Sequence, residues 1–151
     1  MGALARARLV FWAVVLGVVL LPVMGLLIRE EGRDGFGWLN AFVAAVGAIV
    51  VAAAWWIRRR PLRGHDEPEL ARAYVARIML AVAIAEVPVA IGFAGTLVAG
   101  EPWPVLLGAG SSLAALSFVA PSSADVDRRQ AELAATGSAL SLRNALGETG
   151  A

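Results

Sequence analysis

Long apolar runs alternate with short polar stretches along this chain. The first run, Leu9 to Ile28, is twenty residues without a charge. At about 1.5 Å per helical residue it reaches roughly 30 Å, the thickness of a bilayer's hydrocarbon core. Arg6 and Arg8 precede it, as in a signal peptide. A signal's apolar core is only about 7–15 residues, however, and no small-x-small cleavage site follows. The run therefore predicts a retained first span. The second run, Leu39 to Ile57, ends in Trp55-Trp56 and is followed by Arg58-Arg59-Arg60. Indoles at the interface with arginines just beyond them mark a membrane exit.

A polar connector, Pro61 to Leu70, leads to a helix expected to restart near Pro68, since proline suits a first helical turn. The third run, Ala73 to Ala99, is longer than a bilayer requires, so protrusion or tilt is expected. Gly100-Glu101-Pro102 forms a tight turn into the fourth run, Trp103 to Ala120. Pro121-Ser122-Ser123 ends that run and offers an N-cap to a tail helix.

The arginines orient the spans. Arg6 and Arg8, then Arg58, Arg59, Arg60, Arg63 and Arg72, then Arg128, Arg129 and Arg143 fall on one side. The other side carries only Arg29 and Arg33, offset by Glu30, Glu31 and Asp34. An excess of arginine marks the cytoplasmic face. The predicted fold is all-α: a four-transmembrane-helix bundle of two helical hairpins, with both ends of the chain inside. The spans are about 9–28, 39–57, 73–99 and 103–120. Residues 1–121 form the membrane domain and 122–151 a short, partly helical cytoplasmic tail. In that tail Val126, Leu133, Leu140 and Leu142 make a thin apolar stripe interrupted by Thr136-Gly137. Such a stripe suits a frayed extension, a helix lying on the membrane, or one docked on a partner.

Composition narrows the class further. Of 151 residues 59% are hydrophobic, and the net charge is only +1, which argues against a nucleic-acid binder. There is no cysteine and a single histidine, His65, which excludes disulfides, thiolate sites and a multi-histidine metal centre within one chain. His65, Asp66, Glu67 and Glu69 share one loop and are expected to be solvated, so no metal or cofactor is predicted. All 13 basic residues are arginine, a bias that fits a GC-rich bacterial genome and, with the spans, a cell-membrane location.

Glu86 is the one ionisable residue near the middle of a span. An ionised side chain at the centre of a membrane helix costs about 2.5–3.5 kcal/mol on insertion scales. Protonation or a hydrogen-bond partner relieves that cost. Pro88 frees the carbonyl of Ile84 and tends to kink the helix, and Gly92 follows one turn later. Ser111, Ser112 and Ser117 of the fourth span are candidate partners for the carboxyl. Arg77 lies nine residues earlier, on the opposite helical face, and suits an anchor that reaches the headgroups. Small residues at three- or four-residue spacing predict close helix contacts at Ala44, Ala48 and Ala52, at Gly108, Ser112 and Ala115, and at Gly92, Gly95 and Ala99. Pro22 and Gly25 suggest a second kink. No histidine lies at membrane depth beside the serines, and Gly108-Ala109-Gly110 lacks a nucleotide loop's spacing, so no enzyme is expected.

The run Tyr74, Arg77, Ile78, Ala81, Ala83, Ala85, Glu86, Pro88, Gly92 resembles small bacterial four-helix membrane proteins with an Ala-Glu-x-Pro-x-x-x-Gly signature in their third span. The resemblance covers roughly residues 70–121 and implies a multi-pass protein without an assigned reaction. More faintly, an acid amid alanines in a membrane hairpin resembles the proteolipid subunits of rotary ATPases, which would make Glu86 an ion carrier. Their acid lies in a hairpin's second helix, whereas Glu86 lies in the first helix of the second hairpin. Ala83 to Val87 echo the Ala-x-x-Glu-Val context of small multidrug resistance proteins, whose acid is in the first span. The leading expectation is a non-enzymatic protein packed into a membrane assembly, as a homo-oligomer or with another membrane protein, with Glu86 as an interior polar anchor. The alternative is a proton- or cation-linked carrier in which Glu86 titrates.

Overall fold

A computed structural model describes residues 3–27, 37–62, 64–135 and 140–146. Six helices follow one another: α1 (Ala3–Leu27), α2 (Gly37–Arg59), α3 (Glu67–Ala99), α4 (Trp103–Val119), α5 (Ser123–Ala135) and α6 (Leu142–Ala145), with no strand among the described residues. Three of them, Leu4–Leu27, Gly37–Arg59 and Glu67–Ala99, are long and apolar enough to cross a membrane. The fourth apolar run forms α4, only 17 residues, which meets α5 at a bend of 48°. The acidic and basic residues of the first loop, 29–34, and Thr136-Gly137 lie outside the described residues.

The α3–α4 pair is the centre of the bundle. Each of α1 and α2 packs on both of these helices, and the described residues of α1 and α2 do not pack on each other. The first two helices are therefore not a packed hairpin, unlike α3 and α4. Glycines explain the arrangement. Gly92 of α3 rests against the Pro104 carbonyl of α4, and Gly108 of α4 rests reciprocally against the Pro88 carbonyl of α3. Gly47 brings α2 onto Ser111 of α4, and Gly25 brings α1 onto Val105. Where a Cβ is missing, two backbones can approach closely, which drives packing where lipid offers no hydrophobic advantage. Two of the three small-residue faces, on α3 and α4, are buried as expected. On α2 the expectation fails: Ala44, Ala48 and Ala52 are exposed, and the buried stripe is Leu39, Val43, Gly47, Val50 and Ala54. An alanine-rich helix satisfies the spacing rule on more than one face, and the glycine decides between them.

Helix ends follow local chemistry. Asp66 caps α3 by accepting the Glu69 N–H at 2.7 Å, with Pro68 in the first turn. Gly100 closes the same helix at φ 71°, a left-handed conformation that favours glycine. α4 has no side-chain N-cap of its own, but Thr96 Oγ1 of α3 accepts the Val105 N–H at 3.2 Å. α1 starts six residues before the apolar run because Leu4, Ala7 and Phe11 continue its buried stripe, and Arg8 Nε donates to the Pro121 carbonyl at 3.1 Å.

α3 has 33 residues, about 50 Å, roughly 20 Å more than a hydrocarbon core. The surplus forms a platform for the tail. Leu70 and Tyr74 of α3, Val126 and Leu133 of α5, and Leu142 and Leu146 beyond them are buried in the same core as the membrane helices. Gln130 ties the segment after α5 in place: its amide donates to the Leu140 carbonyl and its oxygen accepts the Leu142 N–H. The tail is neither frayed nor laid out on its own; over its described residues it docks on the chain's own bundle.

Candidate functional site

Glu86 and Pro88 are two residues apart on α3, about 200° around the helix. They consequently face different neighbours. Pro88 is buried against α4, where Gly108 touches its carbonyl. The adjacent Val89 N–H donates to Ser112 Oγ at 3.2 Å, so α4 supplies an acceptor beside the turn that proline loosens. α3 runs on through Pro88 without interruption, packed closely on α4 through Gly92 and Gly108. Pro88 and Gly92 thus sit together in one α3–α4 contact, a role beyond the kink expected of them.

Glu86 faces away from that contact. It lines a groove of about 460 Å³ between α1 and α3, with Gly17, Leu20, Leu21 and Met24 on the α1 wall and Val89 and Ala90 beside it. Glu86 is exposed and has no hydrogen bond or ion pair among the described residues. None of the three serines is brought to it. Ser112 serves Val89, Ser111 Oγ donates to the Leu107 carbonyl at 2.9 Å, and Ser117 Oγ to the Ala114 carbonyl at 2.7 Å. The expected serine contact fails because α4 packs on the Pro88 face. Gly17 has nothing within 4 Å of a built Cβ, so its missing side chain widens the groove. The surrounding α1 surface is apolar: Leu16, Leu20, Val23 and Met24 are all exposed. Chemically, the site is one carboxyl in an apolar recess that opens sideways out of the bundle.

A second polar centre lies where α2 ends. Arg129 of α5, only 3% exposed, donates from Nη1 to the Arg60 carbonyl at 2.7 Å and from Nη2 to the Arg58 carbonyl at 2.5 Å. Arg77 of α3 donates to the Arg60 carbonyl at 2.6 Å and to Pro61 at 2.9 Å. Two guanidiniums thus bond the Arg58 carbonyl in the last turn of α2 and the Arg60 and Pro61 carbonyls just beyond it, where they complement the negative end of the helix dipole. Arg77 does not pair with Glu86, and its role is more specific than a snorkelling anchor. Arg129 was missed in the sequence, although it falls on the same helical face as Val126 and Leu133. A lone charge inside a buried stripe was the available signal. Where the connector meets α3, Glu69 bonds His65 and Asp66 caps the helix, so Glu67 and Glu69 belong to its first turn and not to the loop expected; no three His, Asp or Glu residues gather as a metal site among the described residues.

Comparison with protein-family models, curated proteins and solved structures finds no match.

Proposed function

We propose that this chain is a non-enzymatic, multi-pass protein of the cell membrane that packs into a larger membrane assembly through its α1–α3 face, with Glu86 as the polar contact. One observation carries this reading: the carboxyl faces outward into an apolar recess with no partner in its own described chain. In a bilayer such a group finds a hydrogen-bond partner, a proton, or both. A second membrane helix, from another copy or another protein, meets that need where the chain's own serines do not. Glu86 is then an anchor between molecules rather than within the bundle.

The topology that goes with this reading has α4 as a fourth span, about 25 Å long by its 17 residues, and both ends of the chain in the cytoplasm. The arginine asymmetry of the flanks supports that orientation. A reporter fused after Ala151 is expected to work only as a cytoplasmic fusion; activity on the outer side would refute the placement.

The assembly reading predicts that Glu86→Leu weakens association by about 1–2 kcal/mol, the range for interhelical hydrogen bonds in membranes, while Glu86→Gln keeps most of it. Since the chain has no cysteine, single cysteines at Leu20 and Ile49 report the contact by cross-linking in membranes. Leu20 lines the groove and should cross-link; Ile49, exposed on α2, should not. Equal cross-linking at both positions would sink the α1–α3 interface. The width of the groove favours a second reading, a proton- or cation-linked carrier in which Glu86 titrates. Loss of proton flux in Glu86→Gln vesicles, with folding and association intact, would decide for the carrier.

A further inference from the structure

Four arginines crowd the end of α2 without an ion pair of their own. Arg58, Arg59, Arg60 and Arg77 have no carboxylate within ion-pair distance among the described residues. The two nearby acids are already engaged: Asp125 pairs with Arg128 at 2.6 Å, and Glu132 with Arg129 at 3.6 Å. Arg59 and Arg60 do not trail into solvent either. Their guanidinium carbons lie 3.8 Å and 3.6 Å from the ring centroids of Trp55 and Trp56. Stacking on indoles that themselves favour the membrane interface holds these charges at headgroup depth.

Between Arg60 and Arg77 is a hollow of about 480 Å³, floored by Pro61, Leu62 and Ala73. Arg77 uses two N–H groups on the Arg60 and Pro61 carbonyls. A guanidinium has five, so three remain for a ligand. The Arg60 guanidinium stacks on Trp56 but makes no hydrogen bond among the described residues, so its N–H groups are available. Two forks at one hollow match the oxygens of a phosphate. Three residues beyond Arg77 on the same face of α3 is Leu80, 57% exposed. Trp55 and Trp56 are exposed beside the charges on α2. The hollow is therefore basic at its head and borders surface suited to acyl chains.

We propose that this hollow binds the phosphate of an anionic phospholipid, with Arg60 and Arg77 as its ligands and the acyl chains lying along α2 and α3. The excess of arginine over carboxylate selects an anionic over a zwitterionic headgroup, and the apolar border selects a lipid over free phosphate. The inference is independent of Glu86 and rests on α2 and α3 crossing the bilayer.

Detergent-purified full-length protein with added phosphatidylglycerol or phosphatidylcholine tests it, with retained lipid counted by native mass spectrometry. Wild type should retain phosphatidylglycerol in preference to phosphatidylcholine. Arg60→Gln should lower phosphatidylglycerol retention about fivefold, the effect of one interfacial arginine, with an unchanged melting temperature. Arg6→Gln, an exposed arginine of α1, should leave retention unchanged. Equal retention of the two lipids, an Arg60→Gln protein that binds like wild type, or an equal loss in Arg6→Gln would each overturn the site. Displacement of the lipid by millimolar glycerol phosphate would overturn the lipid as its occupant.

Discussion

Gly108→Ala is expected to destabilise the protein by about 3 kcal/mol, and Gly108→Val to prevent accumulation of folded chain. In an exposed helix the same change to alanine would stabilise by about 1 kcal/mol. The sign reverses here because of what a Cβ meets. At Gly108 it would collide with the Pro88 carbonyl oxygen and lie 2.9 Å from that carbonyl carbon and 3.0 Å from Val89 Cα. These are backbone atoms of a helix, which cannot rotate aside as a side chain can. Relief requires α3 and α4 to separate, and separation also strains the Val89–Ser112 bond and the reciprocal contact of Gly92 with Pro104. Gly110, two residues on in α4, is the internal control: nothing lies within 4 Å of its built Cβ, so Gly110→Ala should be neutral or slightly stabilising. Melting followed by tryptophan fluorescence in one detergent compares the three. Equal melting temperatures for Gly108→Ala and Gly110→Ala would show that the close approach is not a determinant of stability.

Arg129→Ala should cost about 3–5 kcal/mol, the usual consequence of removing one member of a buried charged network. The guanidinium bonds two terminal carbonyls of α2 and lies between Asp125 and Glu132. Alanine leaves the Arg58 carbonyl without its side-chain donor, while the Arg60 carbonyl keeps Arg77 and the two carboxylates keep Arg128. The damage should be local. The membrane helices keep their glycine contacts, while α5 and the segment after it lose the tie to α2. Hydrogen exchange should therefore accelerate sharply at Val126 to Leu133 and little in α3 below Ile78. Arg129→Lys should rescue only part, since one ammonium cannot span both carbonyls as the fork does. Arg128→Ala removes a half-exposed pair next door and should cost no more than about 1 kcal/mol. Unchanged protection of α5 in Arg129→Ala would mean that the apolar contacts of Val126, Leu133 and Leu142 suffice to dock the tail.

Much of the candidate site was legible along the chain. Glu86 stood out because a charge inside an apolar run needs no tertiary information to be costly. Gly92 was legible as part of a small-residue packing face, whereas α3 runs on unbroken through Pro88, where a kink was expected. The serines misled: Ser111, Ser112 and Ser117 are at membrane depth, but depth does not say which face of α3 they meet. Ser112 accepts the Val89 N–H instead, on the Pro88 side of α3. The groove itself was invisible, because it exists only where α1 diverges from α3 beside Gly17. Arg129 looked like one more tail charge until the protruding end of α3 and the C-terminus of α2 gave it neighbours.

By itself, the sequence determined the all-helical class, the apolar runs that become the three membrane-length helices, the restart of α3 near Pro68 and the anomaly at Glu86. All of these follow from hydropathy and backbone chemistry acting within a few turns. Only the tertiary structure decided that α1 and α2 flank the α3–α4 pair, that Glu86 faces outward, and that the tail closes over the end of α2. Those outcomes depend on which glycine meets which carbonyl across helices distant in sequence, and side-chain spacing along one helix leaves several faces equally eligible.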